Sequence, residues 1–422
     1  MKMVKSLLLG AAAGLVAMTG AQAADLPVKA KPVQYVKICS LYGAGFYYMP
    51  GTETCLKIGG FVRAEINFHA GNSFNPEHVA VLDRRDYNKY NLRARFVPTF
   101  DARSQTEYGT LRSYIAVNIN IDQGLPSTGA ANPLLYRAFI QLAGFTAGQA
   151  QSFFDFYSTP AYSNTTNVWG SDTGGGGDFV WAYTAQFGNG LSATISAEAE
   201  NVRRTFISGG GGYAGRNMMD LVGNVRVDQA WGSAQIMGAL HQVRTFAGIA
   251  DDKWGYALGA GVTFNLPMIS KGDTFSAQAT WSEGALAYAG AGVGAGFAIT
   301  YDGTTAVGTS LDAVVVGTSL ELTEAWSVVA GFQHVWNPKW KTSLYGTYGE
   351  VNFNSNAETV IGLADWSMWQ VGSRTVWTPV QNLDLSVDIM YNHINTGFDA
   401  TVGFDDKGWW QGMFRAQRNF YP

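Results

Sequence analysis

Residues 382–392 read NLDLSVDIMYN. Leu383, Leu385, Val387, Ile389 and Tyr391 fall on one side of an extended chain, and Asp384, Ser386, Asp388, Met390 and Asn392 on the other. Side chains of a strand alternate between two faces, so this is a strand with one apolar and one polar face. Which face is inside decides the fold. The same alternation recurs along the chain. In LSATISAEAEN (191–201), Leu191, Ala193, Ile195, Ala197 and Ala199 oppose Ser192, Thr194, Ser196, Glu198 and Glu200. In TFSAQATWS (274–282), Phe275, Ala277, Ala279 and Trp281 oppose Ser276, Gln278 and Thr280.

Composition argues that the apolar face is outside. Of the 422 residues 47% are hydrophobic but only 14% charged, against roughly 25% charged in ordinary soluble domains. Aromatics make up 14%, glycines number 51 and cysteines 2. No segment after the first 25 residues is long and apolar enough for a membrane helix. The apolar faces also begin and end in aromatic rings: Trp254 and Phe264, Phe275 and Trp281, Trp326 and Trp336. Paired rings at the ends of an apolar band match the two interfacial girdles of a membrane barrel, a placement that a sandwich core does not require.

The pattern predicts strands at 56–68, 89–102, 107–121, 134–143, 145–151, 178–187, 190–201, 219–229, 232–244, 253–265, 273–284, 319–336, 339–353, 365–378, 381–395 and 407–421. Their connections alternate between short ones, such as 143–145, 188–190 and 337–339, and long ones near 69–88, 122–133, 152–177, 202–218, 245–252, 285–318, 354–364 and 396–406. Outer-membrane barrels sort their loops in this way, short toward the periplasm and long outside. The expected fold is all-β: a transmembrane antiparallel β-barrel of about 16 strands.

Residues 1–23 read as a secretory signal peptide. Lys2 and Lys5 precede an apolar run from Leu7 to Met18, and Ala21-Gln22-Ala23 supplies a small-residue cleavage site. Residues 24–55 then form a periplasmic N-terminal segment and 56–422 the barrel. Removing Lys2 and Lys5 from the 28 basic residues leaves 26 against 32 acidic, a net charge of −6. That excludes a nucleic-acid partner, which calls for a basic patch. Cys39 and Cys55 both lie in the exported part, where a disulfide closing one short loop is expected over two free thiols. No histidine neighbours them, so a metal pair is not expected.

With the apolar parity on lipid, the other parity lines the lumen. Arg63 and Glu65, Arg93 and Arg95, Arg112, and Arg137 then point inward from the first four strands, with Tyr136, Ala138, Ile140 and Leu142 pointing outward from the fourth. One arginine facing lipid at mid-membrane costs about 2–4 kcal/mol. Five such errors would exceed a typical stability of about 5–15 kcal/mol. Arg63, Arg93, Arg95, Arg112 and Arg137 are therefore expected to form a basic wall in water, either selective or merely solvated. The connection 152–177 carries Asp155 and Asp172, with Asp178 at its far end, and no Lys or Arg. Folded into the lumen it would set acids opposite the arginines at a constriction. Passage would then depend on pore width and fixed charge. The alternative is an ordinary external loop.

The five histidines are scattered, and no HxxxH, GxSxG or paired-carboxylate motif occurs. The glycine-rich stretches SDTGGGGDF and AGAGVGAGF lack the Lys-Ser/Thr ending and the strand-to-helix setting of a phosphate loop. No enzyme, metal or cofactor is expected.

The stretches ADLPVKAKPVQYVKICSLYGAGFYYMPGTETCLKIGGFVRAE (24–65), FTAGQAQSFFDFY (145–157) and WWQGMFRAQRNFYP (409–422) resemble the porins of alphaproteobacteria, the type found in Brucella and Bradyrhizobium relatives. The resemblance extends over essentially the whole chain. It implies a sixteen-stranded, trimeric general diffusion porin of the outer membrane, with its third external loop, here 152–177, folded inward. It also implies partners in the lipid bilayer, in two further copies and in the barrel-assembly machinery. Such porins often end in a phenylalanine that this machinery reads. Here the outward phase Trp410, Phe414, Ala416, Phe420 is followed by Tyr421-Pro422, which makes Phe420 the candidate signal. Arg418 shares that phase and is expected at the periplasmic rim. The expected function is passive diffusion of ions and small hydrophilic solutes. A substrate-selective channel such as a sugar porin would need an aromatic track along the lumen. A barrel enzyme would need a convergent catalytic set, and a structural or adhesive barrel a plugged lumen.

Overall fold

The structure, a computed structural model, describes residues 37–69, 89–123, 132–165, 168–209, 211–246, 248–290, 298–300, 306–362, 364–396 and 407–420. The expected signal peptide lies outside these residues, as do the loops near 69–88 and 396–406 almost entirely. Sixteen strands form one closed antiparallel sheet: β1 (Cys55–Phe68), β2 (Tyr90–Thr106), β3 (Gly109–Gln123), β4 (Asn132–Leu142), β5 (Phe145–Ala150), β6 (Asp178–Gly188), β7 (Leu191–Glu198), β8 (Asp220–Gln229), β9 (Gly232–Val243), β10 (Lys253–Asn265), β11 (Thr274–Glu283), β12 (Glu324–Asn337), β13 (Trp340–Asn352), β14 (Trp366–Val380), β15 (Leu383–Thr396) and β16 (Lys407–Asn419). Each strand pairs with its neighbours in sequence. Closure comes from β1 against β16, from Phe61↔Asn419 to Phe68↔Gly412. A barrel has no free edge, so the hydrogen-bonded ladder runs around the whole wall and can stand in lipid.

On β15 the apolar parity is outside and the polar parity inside. Val387 and Ile389 are 47% and 49% exposed on the outside, while Asp388 and Asn392 are fully buried within. Ring pairs mark the two rims. Phe145–Tyr183 (4.8 Å), Trp231–Phe264 (5.7 Å) and Trp340–Trp377 (5.6 Å) lie at the end of the short turns. Tyr256–Trp281 (5.3 Å), Trp326–Tyr348 (5.2 Å) and Tyr391–Trp410 (5.0 Å) lie at the other. The tight turns follow from local chemistry. Ala143-Gly144 and Asn189-Gly190 have positive φ at both central residues, the geometry whose twist matches that of a two-residue hairpin.

Two expectations need correction. The strand placed at 319–336 is two elements. Ser319–Leu322 pairs with Ala313–Val316, which in turn pairs with Ile207–Ser208, in a separate ribbon; the wall strand begins at Glu324. The alternation of Leu320 and Leu322 serves a small core of Ile207, Val243, Ala313 and Val315 rather than lipid. On β4, Ala116 pairs with Arg137 and Val117 with Leu135, leaving Tyr136 as an extra residue. This bulge breaks the two-residue period. Tyr136 consequently sits beneath Arg95, 5.7 Å from its guanidinium, instead of facing outward.

Cys39 and Cys55 form the expected disulfide, with Cα atoms 6.0 Å apart. It pins a knob in which Phe46 is buried, Tyr42 packs beside it and Arg103 of β2 lies over the Phe46 ring at 5.0 Å.

Because β15 crosses the apolar belt at Ile389, Ile389→Arg is expected to lower folding stability by about 2–4 kcal/mol, and Val380→Arg at the rim by about 0–1 kcal/mol. Urea titration in lipid bilayers reads both. Equal losses at the two sites would contradict the depth assigned to Ile389.

Candidate functional site

The inner face of β1 and its two neighbours carries a cluster of arginines. Arg63 stands directly opposite Arg95 of β2, and Glu65 opposite Arg93. Across the closure, Glu65 faces Arg415 of β16 and Arg63 faces Gln417. Arg415 Nη2 lies 2.6 Å from Glu65 Oε1 and Arg63 Nη1 3.5 Å from the same oxygen. Arg93 forks onto Asp122 at 2.5 and 2.9 Å, and Arg95 Nε donates to Asn120 at 2.8 Å. A buried glutamate and a peripheral aspartate thus hold three guanidinium groups, and the Asn120 amide holds the fourth. Coulomb attraction and charge-assisted hydrogen bonds set that geometry.

The described residues of segment 151–177 are hydrogen-bonded to side chains of successive wall strands, from β8 to β16. Asn224 of β8 donates to the Phe153 carbonyl at 2.6 Å. Gln278 of β11 accepts from the Tyr157 N–H at 2.8 Å and donates to the Ser171 hydroxyl at 2.5 Å. Thr347 of β13 donates to the Trp169 carbonyl at 2.8 Å and Gln370 of β14 accepts from the Trp169 N–H at 2.9 Å. Arg374 of β14 donates to the carbonyls of Pro160 and Ser163, both at 2.9 Å, and to that of Ala161. Asp388 of β15 accepts from the Asn164 N–H at 2.6 Å, and Arg415 donates to the Asn164 carbonyl at 2.5 Å. These polar side chains take the place of strand partners for a backbone that would otherwise be buried unpaired.

Glycines in the wall make room for the segment. Gly331 lies beneath Tyr157 and Tyr162, and Gly349 beneath Trp169; a methyl group at Gly349 would meet the indole at 2.8 Å. Trp169 stacks on Trp366 at 5.1 Å. It joins an apolar cluster with Leu286, Val314, Ile394 and Trp409 inside the external half of the barrel.

The acids of the segment are used within it. Asp155 accepts from Thr173 N–H (2.7 Å), from its hydroxyl (2.5 Å) and from Gln151 (2.5 Å). Its other oxygen meets Arg203 Nη2 at 2.7 Å. Burial pushes the Asp155 carboxyl above the usual carboxylate range, against the pull of Arg203. Asp172 accepts from the amides of Gly174 (2.8 Å) and Thr159 (2.9 Å). Asp178 is fully buried at the start of β6 and accepts from the Phe179 N–H at 2.7 Å.

The structure therefore brings Arg63, Arg93 and Arg95 together. Arg112 lies apart: it shares Asp101 with Arg103, six or more residues further down β2, roughly 20 Å at strand rise. Arg137 holds the segment's far end through the carbonyls of Gly174 and Gly175, each at 2.7 Å. Reading the first four strands alone missed Arg374, Lys341 and Arg415. Arg415 was accessible from the phase Trp410–Phe414, whose opposite parity it occupies. Phe420 stands on the outer face, its N–H bonded to Gly60 and its ring 6.1 Å from that of Phe96. Arg418 is exposed in the same phase and donates to the Gln381 carbonyl at 2.7 Å.

The chain matches the model of the family described as "Porin subfamily" over residues 25–413. Porin Omp2b of Brucella suis biovar 1 is 35% identical over 249 residues, which are 54% of this chain and 64% of that protein. Porin Omp2b of Brucella melitensis is 34% identical over the same shares. The match thus spans less than two thirds of these relatives' own length. Among solved structures, the outer membrane channel DcaP of Acinetobacter baumannii superposes with a TM-score of 0.70 at 17% identity. That match covers 88% of this chain and 99% of DcaP.

Proposed function

Because the chain belongs to the porin subfamily, we propose that it is an outer-membrane channel for passive diffusion of ions and small hydrophilic solutes. The observation that carries this reading is the asymmetry of the lumen. Segment 151–177 is pinned to the wall of β8–β16 and leaves the arginine face of β1 and β2 opposite it. No energy coupling and no catalysis enter. In this reading Arg63, Arg93 and Arg95 form the basic side of a constriction, while Arg374 and Arg415 hold the segment that faces them. Asp155, Asp172 and Asp178 hold the segment in shape rather than project charge into the path.

Assembly as a homotrimer, export by cleavage after residue 23 and recognition of Phe420 by the barrel-assembly machinery belong to the same proposal, as family expectations. A sugar-selective channel fits less well. The inward rings Phe61, Tyr136 and Tyr114 each lie under a guanidinium, at 4.6, 5.7 and 5.0 Å. Such rings are covered rather than presented as a bare stacking surface.

Planar-bilayer recording of purified protein tests the proposal. Large, steady, ohmic steps are expected, and silence would favour a scaffold or an enzyme. Arg63→Gln combined with Arg95→Gln is expected to shift the zero-current potential in a salt gradient toward cation passage, because fixed charge at a narrow point biases ion entry. An unchanged potential would remove this pair from the conducting path.

A further inference from the structure

Beneath segment 151–177, on the side of the short turns, lies a cavity of about 430 Å³. Pro160, Ala161 and Asn164 form one side of it, and Arg63, Lys341, Arg374 and Arg415 line the wall with a single acid, Asp384. The other acids of this region, Glu65 and Asp388, are 5% and 0% exposed and stand behind the arginines. The cavity therefore presents four cations and one carboxylate, and that carboxylate already accepts the Thr378 hydroxyl at 2.6 Å.

The cations are not equally engaged. The forks of Arg374 and Arg415 are taken by carbonyls of the segment above and, for Arg415, by Glu65. Arg63 uses Nε on Gln417 at 2.8 Å and Nη1 toward Glu65, which leaves Nη2. Lys341 is half-buried and makes no hydrogen bond or ion pair among the described residues. Asp384 attracts its ammonium and Arg374 repels it, and its three donors are left for a solute in the cavity. Here three N–H donors and one guanidinium edge border the same cavity.

We infer that this cavity is a binding station for a small oxyanion, a carboxylate or a phosphate, held at Lys341 within a wall that carries three arginines. A chloride ion offers one centre and would gain only from net charge. An oxyanion offers several acceptor atoms and takes more than one of the three ammonium donors at once. The inference rests on the channel reading above and deepens it by naming the class of solute that pauses in the lumen.

Two measurements test it, one of which needs no current. Calorimetric titration of the purified protein in detergent, with inorganic phosphate and separately with malonate, is expected to show saturable binding. Lys341→Gln should weaken it about tenfold or more, while Lys341→Arg should stay within about threefold. A preference between the two anions assigns the head group. Binding that is unaffected by Lys341→Gln, or absent for both anions, overturns the inference. In bilayers at constant ionic strength, the same anions should interrupt the chloride current of the wild type at lower concentration than that of Lys341→Gln, and glycerol should not. Conduction without anion block sinks the station and leaves the channel standing. Binding without conduction does the reverse.

Discussion

Replacing Arg374 by alanine is expected to raise both the single-channel conductance and the open-channel noise. Arg374 reaches from β14 to three carbonyls within four residues of segment 151–177, those of Pro160, Ala161 and Ser163. These carbonyls belong to the short helix Thr159–Tyr162 and its exit, the part of the segment furthest from its roots at β5 and β6. Hydrogen bonds from a charged donor are worth about 1.5–3 kcal/mol each, and the acceptors left behind lose their partners as well. The local loss should be at least about 3 kcal/mol. That is enough for the tip to leave the wall part of the time, because among the described residues Tyr157, Tyr162 and Asn164 are the attachments that then remain nearby. Arg374→Lys separates anchoring from charge: it keeps the cation but cannot bind three carbonyls with a planar fork. Noise close to that of Arg374→Ala, with the wild-type zero-current potential, would assign the role to anchoring. A quiet channel of wild-type conductance in Arg374→Ala would show that the tip is held without it.

The wall was legible in the sequence and the filling of the lumen was not, for one physical reason. Every wall strand must present an apolar face to lipid along its whole length, so NLDLSVDIMYN and its counterparts carry the two-residue period with little noise. The places where the reading slipped are those where lipid is not the partner. Leu320 and Leu322 alternate as a strand does, but toward Ile207 and Val243 in an external ribbon. Tyr136 left its assigned side because a bulge inserted one residue, and parity says nothing about bulges. Segment 151–177 has no period at all. Its position follows from single contacts such as Gln278–Tyr157 and Thr347–Trp169, between residues 121 and 178 positions apart in the chain. The basic character of the lumen was readable strand by strand from Arg63 to Arg137. That Arg112 stands apart at the level of Asp101, and that Arg415 joins Glu65, depends on stagger and on closure between the first and last strands, which no local pattern encodes.

The root of the segment yields the other large effect. Arg203, fully buried, meets Asp155 at 2.7 Å and donates to the carbonyls of Ser171 (3.1 Å) and Ala287 (3.3 Å), with Tyr288 stacked at 4.5 Å. One side chain thus ties both limbs of segment 151–177 to the stretch 285–289. Arg203→Met is expected to cost about 3–5 kcal/mol at neutral pH, the usual result of removing one partner of a buried pair. Asp155→Asn should cost less, because Glu198 and Asp178 remain within electrostatic reach of Arg203. The pH dependence of Arg203→Met separates this account from a simple packing loss. Burial already holds the Asp155 carboxyl above the usual range with Arg203 present. Without the cation that rise grows, so the folded chain keeps a proton that the unfolded chain gives up at about pH 4. Where the folded state binds more protons, stability rises as pH falls. The deficit of Arg203→Met should therefore be full well above the folded value and shrink toward pH 4, as read by urea titration in detergent at several pH values. A deficit that stays constant from pH 7.5 down to about pH 4 would mean that Arg203 acts through its contacts with Ser171, Ala287 and Tyr288, and that its charge does little to hold the segment across the lumen.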